Sequence, residues 1–588
     1  MAVDTGDKIT RKYANFRGVD LRGEECSINR SPDSLNMWRN YKELASIETR
    51  PGLEHILQAQ NGIRCMMWDN NKMYYIDGDG YLNALESTKD GKQVVEICYV
   101  GLNGILFSFG GKLYAMGTER YQNVTEGHEV VPYIPTTSIS GKASNDEGLS
   151  GASTSYEDSN LLTNRRINTF LGNGVSRVFY LDAWAKQEGA IVKVDGRKLE
   201  DEEYEWLSYN CIDFITPPGE SQTVGQDNVS IEFEAYKDIN GNTIDLESKR
   251  NKILKCTLIQ EFDNRVFFSG NPDYPNMVRH CSLENPAYIS DLDYYTDGSD
   301  STPIRSMVAG NNGLWVFRDY SPSNNNVFYH TPALDADYGK IYPSSHSSIA
   351  IGCEGRACNF NDDIVFFSRR GMESASTDIT TEQFVTHRSS LVDRLMLTNP
   401  GYKDMVLAEW EGYLFVFMGS DAYLADSRAV TTIENHIEYE WYRWKLGWVE
   451  TVTAASVHNG VLYIGTNEGN IYSFTRDPKD GDKLMWGEKT IDSYWTTPKD
   501  TFGAPNKLKT TNKKGCVVEA IGDIAVSVKT DDDKDFESVG TNEGIDDYFV
   551  SRIKRKKFKD LQLKFESKTS FSLEAVMIET FVGGYIKR

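Results

Sequence analysis

Met66–Leu85, MMWDNNKMYYIDGDGYLNAL, is the stretch that decides the fold. Apolar and aromatic runs of strand length are cut by Asp-Asn-Asn at Asp69–Asn71 and by Asp-Gly-Asp-Gly at Asp77–Gly80. Asn, Asp and Gly tolerate positive φ, which the two-residue turns of β-hairpins demand. The stretch therefore reads as strand, turn, strand, turn, strand.

The phrase recurs along the chain. Turns are expected at Gly110–Gly111, Asp263–Asn264, Asn311–Gly313, Asp362–Asp363, Glu411–Gly412, Asn459–Gly460 and Asn467–Gly469, each between runs rich in Tyr, Phe, Val and Ile. Repeated meanders of this kind are the pattern of β-propeller blades, which run about 40–50 residues each. Residues 57–125 and 250–490 leave room for six or seven blades. The repeat is loose and carries no WD or kelch phrase.

Two segments depart from it. Ile139–Asn160 is rich in Ser, Gly and Asn and reads as a linker or long loop. It leads into strands expected at Val178–Tyr180, Ile191–Val194, Tyr204–Leu207, Ile212–Ile215 and Val229–Phe233, a small β-sandwich inserted into the propeller. Near the C-terminus Leu561, Leu563 and Phe565 alternate with Gln562 and Lys564, as in a half-buried strand, and Ser570–Phe581 reads as a further strand pair. The expected class is all-β: a six- or seven-bladed propeller with an inserted β-sandwich, a closing β-sandwich and an extended N-terminal arm. The boundaries are 1–55 for the arm, 56–125 for the first blades, 126–250 for linker and insert, 251–490 for the remaining blades and 491–588 for the closing sandwich. Helix is expected only at Ser31–Ser46, capped by Ser31 or Asp33 with Pro32 at its first position, and at Ser389–Leu397.

The chain has 588 residues, 86 Asp and Glu against 63 Lys and Arg, and a net charge of −23. Such a surface repels nucleic acid, though it suits a passage along which DNA slides without sticking. The basic run Arg552–Lys559 reads as a solvated strand face, with a nucleic-acid patch as the alternative. No apolar run is long enough for a membrane span, and the start lacks the apolar core of a secretory signal. The nine cysteines are scattered without a C-x-x-C pair, as for reduced thiols of a cytoplasmic product.

No G-x-S-x-G, P-loop or H-E-x-x-H phrase occurs, and the eight histidines are isolated. Asp77–Gly80 and Asp531–Asp535 read as turns, with a Ca²⁺ site as the alternative for each. Asp291, Asp293, Asp362, Asp363 and Glu409 are the acids that a propeller-type glycosidase would draw on, although no Asp-box phrase accompanies them. No cofactor is expected.

The N-terminal phrase, with Gly18, Val19, Pro32, Asn36, Glu48, Arg50, Pro51 and Gly52, resembles the start of the tail nozzle proteins of short-tailed bacteriophages, also called tubular protein B or stabilisation proteins. Arg265–Tyr295, with SGNPDYPN and ENP, and the C-terminal stretch from Arg552 resemble the same family in order. Residues 165–236 resemble a module of phage tail and fibre proteins.

What the resemblance implies is a structural, non-enzymatic virion protein, assembled in the host cytoplasm. Copies of it would form a six-fold ring below the head–tail connector and contact adaptor proteins, other tail proteins or fibres. Double-stranded DNA would pass through that ring without specific binding. A receptor- or glycan-binding tail protein and, further off, a glycosidase are the alternatives. In this reading the arm docks on a neighbouring copy or on the ring above, through Pro32, Trp38, Tyr41, Leu44 and Arg50, since aromatic and Arg side chains lead interfaces. Core packing within the chain is the other reading of Trp38, Tyr41 and Leu44.

Overall fold

Hairpin turns build most of this molecule. In the computed structural model Asn70 and Asn71, Gly110 and Gly111, Asp263 and Asn264, Asn311 and Asn312, Asn361 and Asp362, Glu411 and Gly412, and Asn459 and Gly460 all take positive φ as consecutive pairs. That is the signature of turns matched to the twist of their flanking strands. The turn expected at Asp362–Asp363 lies one residue earlier, because Asp363 already pairs with Phe360 at the start of the next strand. The described residues are 7–585 except 40, 42–45, 89–90, 140–153, 224–225, 337–338, 349–350, 377–384, 434–435, 447–449, 477–484, 487–488, 532, 545–546 and 554.

These hairpins join into four-stranded antiparallel sheets, and the protein is all-β with a propeller-like fold. In chain order the first sheet is Ile63–Asp69, Lys72–Asp77, Tyr81–Thr88 and Gly91–Tyr99, and the second is Ile105–Phe109, Lys112–Met116, Tyr121–Asn123 and His128–Glu129. The third runs from Leu258 to Thr296, the fourth from Ile304 to Ser348, the fifth from Ala357 to His387 and the sixth from Val406 to Lys445. The seventh has only three consecutive strands, Val452–His458, Val461–Thr466 and Asn470–Thr475. Its fourth comes from the other end of the chain: Gly52–Gln58 pairs antiparallel with Asn470–Thr475, and the short strands Met485–Trp486 and Lys489–Thr490 follow it to make the sheet six-stranded.

The chain divides into two compact units, Met1–Cys98 with Gly310–Thr331 and Ser344–Arg588, and Tyr99–Ala309 with Pro332–Pro343. The second unit holds the inserted module. There a six-stranded sheet and a three-stranded sheet share one core of Phe170, Phe179, Leu181, Ile212, Phe214, Ile231 and Phe233. Helix Leu246–Leu254 follows, capped by Asp245, whose carboxylate accepts the Glu247 amide. Sequence reading missed this helix, because LESKRNKIL is polar nearly all round and buries only Ile253 and Leu254.

In the first unit an eleven-stranded sheet system gathers the C-terminal strands around Lys507–Thr530, which pairs with Leu561–Ser567 and Phe571–Tyr585. The N-terminal segment corrects the expectation of a free docking arm. Lys8–Ala14 pairs residue for residue with Ala575–Phe581, Ser34–Leu35 pairs with Tyr494–Trp495, and Ile47–Glu48 pairs with Ser572–Leu573. The polar segment needs no second molecule, because this sheet supplies its partners. The helix expected at Ser31–Ser46 is replaced by the short strands Ser34–Leu35 and Met37–Arg39, with Asn36 between them at φ 57°. Helix in the Ser389–Leu397 stretch is limited to Asp393–Met396. No helix among the described residues is long and apolar enough to cross a membrane.

Candidate functional site

The residues that carry the N-terminal resemblance converge on one junction of the first unit. Asn36 sits at its centre. Its left-handed backbone aims the side chain so that Oδ1 accepts from the Lys445 amide (2.9 Å) and from Arg50 Nε (3.1 Å), while Nδ2 donates to the Asp492 carbonyl (2.7 Å). One amide thus ties the N-terminal segment to the end of the sixth sheet and to the start of the C-terminal strands. Arg50 is fully buried and also donates to the carbonyl of Pro51 (2.8 Å). Burial pulls its guanidinium down to about 9, which leaves it charged at neutral pH. Glu48 accepts from the Trp38 indole N–H (3.1 Å).

Gly18 is required by close approach. A Cβ there would lie 2.1 Å from the Trp441 carbonyl oxygen, and the next amide, Val19 N, donates to that oxygen at 2.7 Å. Gly18→Ala must push two backbones apart and is expected to lower stability by about 1–3 kcal/mol in denaturant unfolding. Beside it the buried Glu440 carboxylate is gripped by Arg30 through Nη2 (2.6 Å) and Nε (3.0 Å), with Arg17 adding a third contact at 3.2 Å.

The five residues expected to dock elsewhere divide as follows. Trp38 is buried in cis, with ring centroids 5.1 Å from Trp444, 5.3 Å from Tyr413 and 5.7 Å from Trp410. Tyr41 is half-buried and donates to Asp426, and the Arg428 guanidinium stacks 3.5 Å over its ring. Pro32 is half-buried beside Ser31, whose hydroxyl donates to the Thr496 carbonyl (2.7 Å). Arg50 is the keystone just described. Leu44 lies outside the described residues. Trp38 and Arg50 are therefore unavailable to a partner, and the core reading of Trp38 stands.

The acids weighed for glycoside chemistry are engaged with neighbours or exposed. In the second unit Asp291 pairs with Lys252 (2.7 Å) and Arg279 (3.5 Å), and burial raises the carboxyl of Asp293 beside His280. In the first unit Asp363 accepts from Arg388 Nε (2.9 Å), the Tyr439 hydroxyl (2.6 Å) and the Ser374 hydroxyl. Asp362 and Glu409 are exposed. Asp77 accepts the amides of Asp79 and Tyr81, the geometry of a turn. No group of three His, Cys, Asp or Glu poised for a metal ion occurs among the described residues.

Sequence reading missed His387. Its Nε2 lies 2.7 Å from Asp393 and its Nδ1 3.3 Å from the buried Glu373. Burial by itself would lower its pKa, but the hydrogen bonds to Asp393 and Glu373 outweigh burial and carry it up to about 10. A raised folded pKa gives stability that is complete below the unfolded value, about 6.5, and is lost as pH rises toward 10. His387→Gln is expected to cost about 1–2 kcal/mol at pH 6 and nearly nothing at pH 10, read as denaturation midpoints of both proteins across that range. A pH-independent difference would rule out the charged imidazole.

No protein-family profile matches the chain, and no curated protein matches it by sequence. Similar solved structures include the computationally designed protein Ika8 (12% identity, TM-score 0.33), covering 72% of this chain and 99% of that one. The WD40 β-propeller domain of Doa1 (7%, TM-score 0.33) covers 73% and 98%, and BamB from Moraxella catarrhalis (10%, TM-score 0.31) covers 77% and 97%. The details of the fold rest on the sheets described above rather than on these alignments.

Proposed function

We propose that this chain is a structural subunit of a bacteriophage tail. Its meander sheets act as propeller blades. Six copies form a nozzle ring that extends the portal channel, retains packaged DNA and passes it during ejection. The observation that carries the reading is the double tie of the N-terminal segment, with Lys8–Ala14 in the C-terminal sheet and Gly52–Gln58 inside the seventh propeller sheet, beside Asn470–Thr475. A chain whose start is woven into its far end resists being pulled apart, which suits a wall that bears the pressure of a packed genome. The motif that resembles nozzle proteins lies between the two tied strands and contributes Gly52 to the second of them. The net charge of −23 adds a surface that phosphates slide past.

The test is to disrupt the gene and compare the particles made with and without it. Expected are the protein in purified virions by mass spectrometry, a ring below the connector by electron microscopy, and DNA leaking from particles that lack it. Absence from virions, or glycan hydrolysis by the purified chain, would overturn the proposal.

A further inference from the structure

The second unit contains a pocket of about 520 Å³ between the inserted module and helix Leu246–Leu254. That volume is in the range of small-molecule sites. Polar side chains supply most of its lining residues, with hydroxyls, amides, carboxylates and cations beside about as much apolar surface, and the ring of Tyr156 is exposed at its margin. Such a wall suits an amphiphilic ligand, one that pairs donors and acceptors with apolar faces as a sugar ring does.

The cations in the wall are not equivalent. Arg165 pairs with Glu232 (2.7 Å), Arg166 with Asp182 (2.7 Å) and Lys252 with Asp291 (2.7 Å). Lys249 has no carboxylate within ion-pair distance among the described residues. It donates only to the Thr163 carbonyl (3.2 Å) and to Asn164 Oδ1 (3.2 Å). An ammonium has three donors, so one remains. Next to it two buried atoms, Arg166 Nε and Asp182 Oδ1, lack hydrogen-bond partners. Both atoms are sealed from the pocket, so Lys249 carries the donor of this wall that a bound molecule can reach. Burial also pulls Lys249 down to about 8, against the opposing charge of Asp291.

Charge narrows the ligand further. Asp182, Asp238, Asp245 and Asp291 answer Arg165, Arg166, Lys249 and Lys252 one for one in the same wall, so no surplus positive charge is left to balance a doubly charged phosphate. One carboxylate, set against Lys249 and carried on a hydroxyl-rich ring, meets none of these objections. We propose that the pocket binds an acidic saccharide residue, with the sugar carboxylate on Lys249 and its hydroxyls on Asn164. This inference does not rest on the tail assignment, since the pocket binds or fails to bind whatever the assembly around it.

The test uses the full chain with methyl glucuronide, methyl glucoside and inorganic phosphate as probes, in calorimetric titration and saturation-transfer NMR. Expected are saturable binding of the glucuronide, at least tenfold weaker binding of the glucoside, and no displacement by phosphate. Lys249→Met should weaken the glucuronide at least tenfold, and wild-type affinity should fall as pH rises above 8, where Lys249 loses its proton. If Lys249→Met alters the thermal transition, Tyr156→Ala replaces it, changing an exposed ring and weakening binding severalfold. No glucuronide binding, equal affinity for the glucoside, displacement by phosphate, or unchanged affinity in the variant used would overturn the proposal.

Discussion

A chain lacking residues 1–55 is expected to lose the folded state of the first unit. Read from the sequence alone, residues 1–55 are instead an extended arm that docks on another molecule. The structure places Tyr13, Phe16, Val19, Met37, Trp38 and Ile47 in buried cores of that unit, each at 1% exposure or less. Burying one such side chain is worth about 1.5–3 kcal/mol, while a whole domain is stable by about 5–15 kcal/mol. The truncation removes all six, strips a seven-residue strand from the C-terminal sheet and takes part of the fourth strand of the seventh sheet. Expected are inclusion bodies or, in soluble material, loss of the cooperative melting transition of the first unit and rapid proteolysis of residues 344–588. Recovery of soluble truncated chain with the wild-type transition would show that these contacts are dispensable, and with them the double tie on which the functional proposal leans.

Arg30→Met is expected to destabilise the first unit by about 3–5 kcal/mol, with a matching drop in denaturant midpoint. Glu440 is fully buried, and its two oxygens receive Arg30 in a bidentate grip. Removing the guanidinium strands a carboxylate away from water, with only the single contact of the half-exposed Arg17 left. The diagnostic result is the double variant Arg30→Met/Glu440→Met, which should recover most of the loss because it removes the buried charge with its partner. A double variant as unstable as the sum of its parts would assign the effect to lost packing instead. The pair also fixes register: it holds Arg30 against the strand His436–Lys445, next to the close approach of Gly18 to Trp441.

Much of the fold was legible because hairpins are local. Positive φ at two adjacent positions selects Asn, Asp and Gly, and the alternation on either side sets the faces, so the meanders could be read from short windows. The single slip, one residue at Asn361–Asp362, arose where three polar residues in a row offered two registers. The seventh sheet offers three consecutive strands where its neighbours offer four, and the alternating run GLEHILQ at Gly52–Gln58 was available to complete it.

The sequence by itself determined an all-β chain of repeated meanders and the place of the inserted module. Only the tertiary structure decided where the N-terminal segment goes. Its strands are two to seven residues long, and its partners lie more than four hundred residues away, at Arg443–Lys445, Tyr494–Trp495 and Ser572–Phe581. No local period can encode such pairing. A polar segment that looks unable to bury itself in isolation is buried here because distant strands supply its hydrogen bonds, and distant Trp410 and Trp444 supply the apolar wall for Trp38.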